Sequence, residues 1–593
     1  MKEYKLVDNV KYVISAVQKW DKLLIWILCV AVLFNAVFPY MYPIISRQVI
    51  NCILRDSGYI ELIYVTIGFA GVFLLLKIIY SKLNLSLWWR FFYLKNRFVI
   101  NKMEKVMEIP FDSLEKREVL DMMEKAEKST QGTNGAEGML YSIKNSMICV
   151  VRIILSAAVM SILSPVIVAV ALILSIINFK VVSRAKQMDI ELLYEQKTPV
   201  DRKVGYWTRV SYDRDYAKEI RIFSLKKWII DKLHEQELIA LGLLKCSKKN
   251  WINATLLNNI ISLIQKAIVY GYVIYNTYLG KINIADFVFY TGCIMVLFDT
   301  INEIFDIFST INKQSAEVSE YRKFMDYKND TIKEEKYEIP AGDISIEFKN
   351  VYFKYEGQSE WAIQDLNLKL SRDKKIAIVG KNGSGKSTLI KLMCRLYEPT
   401  KGEILLNGVN INNYNKKEYY KIIAPVFQEV VVFAMTLKEN VSFVKLGQED
   451  EDKVMSAIKE AGLKERVSFM KKGLNSELLR VMDAEGEELS GGEKQKISLA
   501  RALYKISVVE ILDEPTAALD SLAEKKLYES INELMKKKIG VFISHRLSTT
   551  RFCDQIIYMD KGRILERGDH IQLMALEGEY SKLYKLQAQY YVD

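Results

Sequence analysis

Histidine, proline and cysteine are scarce in this chain of 593 residues, which contains three histidines, nine prolines and seven cysteines. The cysteines form no CxxC pair and no cluster with histidine, so we expect reduced thiols and no structural zinc site. Half of the residues are apolar and 26% are charged, which excludes disordered, collagen-like and disulfide-stapled proteins. The net charge of +11 indicates either nucleic-acid binding or the basic loops of a membrane protein, and its distribution decides between them.

Long uncharged runs are concentrated in the N-terminal half of the sequence. Residues 23–46 carry no charge, and a helix of that length would reach about 36 Å, enough to cross a hydrocarbon layer of about 30 Å. Asn35, Pro39 and Pro43 are expected to bend this helix, and Ser164–Pro165 to form a tight turn between two later spans. We predict six membrane spans, at 23–46, 59–81, 139–163, 166–182, 252–279 and 283–311.

Lysine and arginine are distributed unequally between the two sides of these spans. The connections after spans 1, 3 and 5 hold only Arg47, Arg55 and Lys281. Five lysines precede span 1, and the two long connections, 82–138 and 183–251, hold many more basic residues. By the positive-inside rule both termini are cytoplasmic, and the basic excess requires no nucleic acid as a partner.

The two long connections have the apolar spacing of helices. We predict that spans 2 to 5 continue as helices into the cytoplasm, with turns near 109–113 and 212–216. Span 6 carries Asp299, Glu303 and Asp306 on one helix face. These carboxylates either line a central cavity that favours cationic cargo, or pair with Lys266, Arg152 or Lys144 on neighbouring helices, or are exposed at the cytoplasmic mouth.

The composition changes near residue 323, and three regions are predicted: a membrane domain at 1–322, a linker at 323–342 and an α/β domain at 343–593. In the last region a buried strand at 376–379 leads into GKNGSGKS and then an apolar helix, the context of a phosphate-binding loop. Its N–H groups surround phosphate oxygens, Lys386 reaches the β- and γ-phosphates, and Ser387 holds Mg²⁺. The loop residues predicted to bind ATP are Gly380, Asn382, Gly383, Ser384, Gly385, Lys386, Ser387 and Thr388.

A second apolar strand ends in Asp513-Glu514. Asp513 would complete the Mg²⁺ shell, and Glu514 would orient or deprotonate the attacking water. Glu510 in the same strand is a departure, because an apolar residue is expected there. It either faces a polar neighbour or lies at a frayed strand start.

A second glycine motif, LSGGE at 489–493, precedes a helix and forms another anion site. One nucleotide need not occupy both sites of one copy. The simplest arrangement is two copies facing each other head to tail and sharing two ATP molecules.

Together with ILDEPTAALD at 511–520 and ISHRLS at 543–548, these motifs resemble an ABC transporter ATPase domain, and the six spans resemble an exporter-type half-transporter. The resemblance implies a membrane helical bundle with long cytoplasmic extensions, fused to a P-loop nucleotide-binding domain. It also implies a role for Tyr355 in stacking on adenine, for Gln428 in binding Mg²⁺ and sensing the membrane domain, and for His545 in contacting the γ-phosphate. Asp520 matches the D-loop, and Ser490, Gly491 and Gly492 would cap the ATP of the opposite subunit.

The signature ends in Glu493, where the family most often has glutamine. Lys386, Glu514 and His545 are all present, so both sites of a homodimer would be competent, and a heterodimer with a sister half-transporter stays possible. The expected function is ATP-driven export of a peptide, lipid or drug-like amphiphile across a bacterial plasma membrane. The alternatives are an exporter-shaped importer, for example of metal chelates, and an ATP-gated channel or regulator.

Overall fold

The computed structural model describes residues 4–55, 58–165, 196–327, 337–340, 342–444, 447–515 and 531–589, with Tyr528 and a few positions between 173 and 180. The chain divides into two compact units. The first comprises Met1–Ile109 and Arg117–Lys328, and the second comprises Asn329–Asp593 together with the short segment Pro110–Lys116.

The described part of the first unit consists of helices joined by turns and loops. Five of these helices are long and apolar enough to cross a membrane: Leu23–Leu54, Tyr59–Glu108, Gly135–Ile162, Thr255–Tyr278 and Ile284–Met325. In Tyr59–Glu108 no residue of the most apolar stretch is buried in the protein, as expected of side chains that face lipid. These helices coincide with five of the six predicted spans, and the predicted span 166–182 lies almost wholly outside the described residues.

Several helices run far beyond the length that a bilayer requires. One spans Tyr59–Glu108 with 50 residues, and another spans Lys226–Tyr278 with 53, so each reaches about 75–80 Å at 1.5 Å per residue. The first apolar run is interrupted by a 3₁₀ turn at Phe38–Tyr40, where Pro39 removes a backbone donor. The described part of this unit also contains the α-helices Leu6–Trp20, Arg117–Lys128, Thr198–Tyr212 and Ala217–Ile222.

Two sheets are present in the described part of the second unit. An antiparallel sheet of order β2-β1-β4-β5 is formed by β1 (Ser345–Phe353), β2 (Ile363–Ser371), β4 (Lys401–Leu406) and β5 (Val409–Asn410). A six-stranded sheet of order β10-β9-β3-β8-β7-β6 is formed by β3 (Lys375–Gly380), β6 (Ile423–Val426), β7 (Val509–Asp513), β8 (Ile539–Ile543), β9 (Gln555–Asp560) and β10 (Arg563–Gly568). Helices in this unit include Phe111–Leu114, Lys386–Met393, Lys416–Ile422, Leu437–Ser442, Glu451–Glu460, Lys464–Phe469, Gly491–Tyr504, His570–Ala575 and Glu579–Gln589.

Strand order in the larger sheet places the functional motifs at one edge. Strands β6, β7, β8 and β3 are consecutive neighbours and are parallel, so their carboxyl ends lie side by side. The sheet is buried on both faces by two apolar clusters, one around Val379, Leu512 and Phe542 and the other around Ile378, Ile511 and Val541. In such a fold ligands bind outside the carboxyl ends of the strands.

Candidate nucleotide-binding site

A glycine-rich loop joins β3 to the helix Lys386–Met393. Gly385 caps that helix with a φ of 102°, and a Cβ atom there would lie 2.7 Å from the carbonyl oxygen of Ala362. Only glycine fits this conformation and this space, so backbone N–H groups at the helix start remain open to a phosphate. The predicted strand, loop and helix are therefore present at Gly380–Thr388.

The Lys386 side chain lies almost wholly buried within this loop. Its Nζ donates hydrogen bonds to the carbonyl oxygens of Gly380, at 2.9 Å, and Lys381, at 3.0 Å. Burial lowers the pKa of Lys386, and the carboxylates of Asp513 and Glu514 offset part of this effect. A partly desolvated ammonium group attracts phosphate oxygens strongly, because little water competes with them.

Asp513 at the end of β7 is 5% exposed, and its Oδ1 atom has no hydrogen-bond partner among the described residues. Burial and, to a smaller extent, the charge of Glu514 raise the pKa of Asp513 to about 6. The charge of Lys386 and a hydrogen bond from the Ser387 hydroxyl oppose this shift. An unpartnered carboxylate oxygen beside a hydroxyl is a donor set that Mg²⁺ prefers. The residues present therefore fit a magnesium ion.

Glu514 receives contacts from the ends of the two strands that flank β7. Gln428, after β6, donates a hydrogen bond from Nε2 to Glu514 Oε2 at 3.0 Å. His545, after β8, has its Nε2 2.5 Å from Glu514 Oε1. Burial and the charge of Lys386 lower the pKa of His545, which favours a neutral ring that donates one N–H. The structure thus brings Gln428 and His545 onto the carboxylate of Glu514, the third predicted catalytic residue.

The phosphate-binding loop, Glu514 and His545 line a cavity of about 430 Å³. Tyr355 forms part of its wall and shares a 3.0 Å hydrogen bond with the Thr388 hydroxyl. Sequence reasoning missed other residues of this wall, Gln358, Glu360, Trp361 and Ala362, which belong to no recognised motif. Their one signal is proximity along the chain to Tyr355.

The signature residues lie elsewhere in the unit. Ser490 caps the helix Gly491–Tyr504, and its hydroxyl accepts a hydrogen bond from Glu493 N at 3.3 Å. Glu493 returns the contact by accepting from Ser490 N at 2.8 Å and also lies 3.1 Å from Arg466 Nε. Ser490, Gly491 and Gly492 are not among the described residues that line the 430 Å³ cavity. Asp520 lies outside the described residues.

The structure shows the surroundings of two residues whose environment the sequence did not decide. Glu510 lies within β7, fully buried, and accepts hydrogen bonds from Lys538 Nζ, at 2.7 Å, and from the Ser507 hydroxyl. The polar-neighbour interpretation is therefore correct for Glu510. In the first unit, Glu303 pairs with Arg152 at 3.1 Å, so this member of the acidic face in span 6 follows the ion-pair alternative.

Comparison with known proteins supports the family resemblance. The ABC transporter family model matches residues 363–517, which confirms the predicted ATPase domain. The subtilin transport ATP-binding protein SpaT of Bacillus subtilis is 32% identical over 413 residues, 66% of each chain. An ATP-dependent lipid A-core flippase of Methylobacillus flagellatus is 33% identical over 308 residues, 52% of each chain. The chain thus matches at most about two thirds of the length of these relatives.

The fold also resembles a solved structure along most of the chain. A bacterial Atm1-family ABC exporter with ATP bound has a TM-score of 0.80 and 20% sequence identity, and the match covers 95% of this chain and 98% of that one. The predicted fold, an apolar helical unit fused to an ABC nucleotide-binding domain, is confirmed.

Proposed function

We propose that this chain, which belongs to the ABC transporter family through residues 363–517, is one half of an ATP-driven exporter. One observation carries the proposal. The phosphate-binding loop, Glu514, Gln428 and His545 come from four neighbouring parallel strands and meet in a single cavity of about 430 Å³. This is the set of groups that ATP hydrolysis requires.

Binding of ATP depends on the loop and on Tyr355. Backbone N–H groups at Gly383–Ser387 cradle the phosphates, and Lys386 donates to the β- and γ-phosphate oxygens. The buried Ser384 hydroxyl has no partner among the described residues, and it is available to an oxygen of the triphosphate. The adenine base stacks on Tyr355.

Ser387, Gln428 and Asp513 would hold Mg²⁺, which supplies charge neutralisation of the phosphates when bound. Glu514 accepts a proton from the attacking water. The water oxygen bonds to the γ-phosphorus, the bond from that phosphorus to the β–γ bridging oxygen breaks, and ADP leaves with the electron pair. Gln428 and His545 orient the Glu514 carboxylate, and His545 also approaches the γ-phosphate.

The partner in this function is a second half-transporter. Ser490, Gly491 and Gly492 would cap the ATP held by the opposite subunit, and Asp520 would belong to the same interface. A homodimer is the favoured assembly, since both the loop and the signature are intact, and a heterodimer is the alternative outcome.

The cargo class follows from the membrane unit and from the relatives. We assign export of an amphiphile, either a peptide, a lipid or a drug-like molecule. The relatives are named for subtilin and for lipid A-core. The basic residues on the long connections orient the ATPase unit toward the cytoplasm of a bacterial cell. ATP binding to the closed dimer drives the change in access by favouring one of two conformations.

The first experiment tests the chemistry in the purified chain in lipid. Glu514→Gln keeps the size and removes the base, so ATP turnover should fall more than about tenfold, with ATP still bound. Glu577→Gln, at an exposed surface carboxylate, is the matched control and should keep wild-type turnover. Unchanged hydrolysis in Glu514→Gln would remove this residue from the mechanism.

The second experiment tests direction. In vesicles whose ATPase units face outward, an exporter accumulates labelled lipid or peptide inside when ATP is added outside. Loss of preloaded cargo would indicate an importer. Hydrolysis without movement of any cargo in the panel would favour a channel or regulator.

A further inference from the structure

Three aromatic rings form a cluster behind the wall of the nucleotide cavity. The Tyr355 and Tyr397 ring centroids lie 5.4 Å apart with an interplanar angle of 86°. Phe353 contacts both, with centroid distances of 5.0 Å to Tyr355 and 5.3 Å to Tyr397. Edge-to-face contacts of this kind fix the relative orientation of rings, so the plane of Tyr355 depends on the position of Tyr397.

The same two tyrosines are linked to the helix that follows the phosphate loop. The Lys391 Nζ atom lies 5.7 Å from the Tyr355 ring centroid and 5.5 Å from that of Tyr397. The Tyr355 hydroxyl is already engaged with Thr388 in that helix. Tyr355 is therefore held at its hydroxyl by the phosphate-loop helix and along its ring by Tyr397.

Tyr397 is held in turn by the segment Pro110–Lys116, which belongs to the second unit. Its hydroxyl donates a hydrogen bond to Glu115 Oε2 at 2.6 Å. Its ring packs edge-to-face on Phe111, at a centroid distance of 5.7 Å. Tyr397 is 5% exposed, and burial together with the Glu115 carboxylate raises the pKa of its phenol, so the hydroxyl stays a donor.

A second cavity is lined by all three rings. Its volume is about 530 Å³, and it is lined by residues that include Asp112, Glu115, Tyr355, Gln358 and Tyr397. Tyr355 and Gln358 also line the nucleotide cavity. Tyr355 thus borders two open spaces, and its contacts with Phe353 and Tyr397 hold its ring in place.

We propose that Tyr397 is a positioning residue for the adenine platform: it couples the orientation of Tyr355 to the contacts that Phe111 and Glu115 make with Tyr397. The inference rests on the proposed ATP site and adds to it a side chain that does not touch the nucleotide. A change in the segment Pro110–Lys116 then alters the affinity of the site for the base. By the same factor, adenine binding favours the position of the segment in which Phe111 and Glu115 contact Tyr397.

The test compares two ligands of the full chain in lipid nanodiscs, ADP and inorganic pyrophosphate, by equilibrium titration. Both occupy the phosphate loop, and only ADP carries a base that stacks on Tyr355. Tyr397→Phe, which keeps the ring, and Glu115→Ala should each weaken ADP binding by about 2- to 10-fold, the scale of one hydrogen bond. Neither should change the affinity for pyrophosphate.

Three controls separate this role from a structural one. Glu115→Gln keeps an acceptor oxygen and should retain wild-type affinity for ADP. Lys116→Ala removes a second contact of the segment, the 3.8 Å ion pair with Glu356, and should change nothing. In a Tyr355→Leu background, the Tyr397 and Glu115 variants should have no further effect.

Equal weakening of ADP and pyrophosphate would overturn the inference, and so would an undiminished effect without Tyr355. A wild-type chain that hydrolyses ATP while these variants bind ADP normally would refute the positioning role alone. A wild-type chain that binds neither ligand would refute the ATP site itself.

Discussion

At the scale of single residues, Glu510 is a buried carboxylate in a strand where an apolar residue is expected. It is fully buried in β7, between Ala424 of β6 and Gly540 of β8. One carboxylate oxygen accepts from Lys538 and Ser507, and the other, Oε2, has no partner among the described residues. Protein donors thus replace water at one oxygen of this carboxylate, whereas Oε2 is removed from water and receives no hydrogen bond in return.

Burial raises the pKa of Glu510 above its ordinary value of 4.5, although Lys538 opposes the shift. The native state then binds a proton more tightly than the unfolded state does. This contribution to stability is complete below the unfolded pKa and is lost as pH rises through the folded pKa. Glu510→Gln removes that dependence, so its stability relative to wild type should increase as pH rises from about 4.5.

Thermal unfolding of both proteins at several pH values checks this prediction. Glu403→Gln, at an exposed site of β4, should show no such trend. If the unfolding temperatures of wild type and Glu510→Gln change in parallel with pH, the prediction for Glu510 is wrong. Lys538→Met should be the costlier change, by up to about 3 kcal/mol, since it leaves a buried charge without its cation.

At the scale of elements, the start of the helix Gly491–Tyr504 explains the unusual Glu493. Glu493 completes a capping box with Ser490. Its second oxygen pairs with Arg466, which also contacts Glu487 at 2.9 Å. Glutamine would complete the box equally well but could not form the ion pair. The carboxylate therefore ties the signature helix to the helix Lys464–Phe469.

We expect Glu493→Gln to cost less than about 1 kcal/mol in unfolding free energy, since the pair is partly exposed. Arg466→Met should cost more, because it releases Glu487 and Glu493 together. Ser490→Ala should lose about 1 kcal/mol of capping as well as ATP turnover. Chemical denaturation and ATPase assays on the three variants check this order, and a larger loss in Glu493→Gln than in Arg466→Met would refute it.

A second element-scale prediction concerns the membrane helices. Arg152 pairs with Glu303 and also donates to the Asn35 carbonyl oxygen at 3.0 Å, so it joins three helices. Glu303→Gln should leave the Arg152 cation without its carboxylate partner and lower the thermal stability of the chain in lipid or detergent. Asp299→Asn on the same helix is the matched variant and should be milder. If both have equal effects, the pair does not hold the helices together.

The sequence predicted elements well where the signal is local. The phosphate loop is contiguous, so Lys386 and Ser387 could be assigned directly, and the uncharged runs could be read as spans. The convergence of Gln428, Glu514 and His545 needed the family resemblance, because the strand order β6-β7-β8-β3 does not follow the chain. Tyr397 and its contact with Glu115 carry no motif at all. Only folding brings these two distant positions together.

At the scale of the whole molecule, the signature residues at 490–492 do not line the cavity of the phosphate-binding loop in the same chain. This observation leads to a prediction about assembly. A chain inactivated at Lys386→Met and a chain inactivated at Ser490→Arg should each lack ATPase activity. A mixed dimer has one site with both parts intact. Random pairing should therefore restore up to about a quarter of wild-type activity if the active unit is a symmetric dimer.

Mixing the two purified variants before reconstitution, and measuring ATP hydrolysis, checks this. Each variant mixed with itself is the control for incomplete inactivation. Lack of any recovery, with mixed dimers shown to form by crosslinking, would mean that each chain completes its own site.

The course of the chain between its two units also limits how the protein can be divided. Since Pro110–Lys116 belongs to the ATPase unit although the stretches on either side of it do not, no single cut yields that unit whole. A recombinant fragment starting near residue 329 would leave Phe111 and Glu115 behind. The phenol of Tyr397 would lose its acceptor, so nucleotide affinities measured on the excised fragment should understate those of the intact chain.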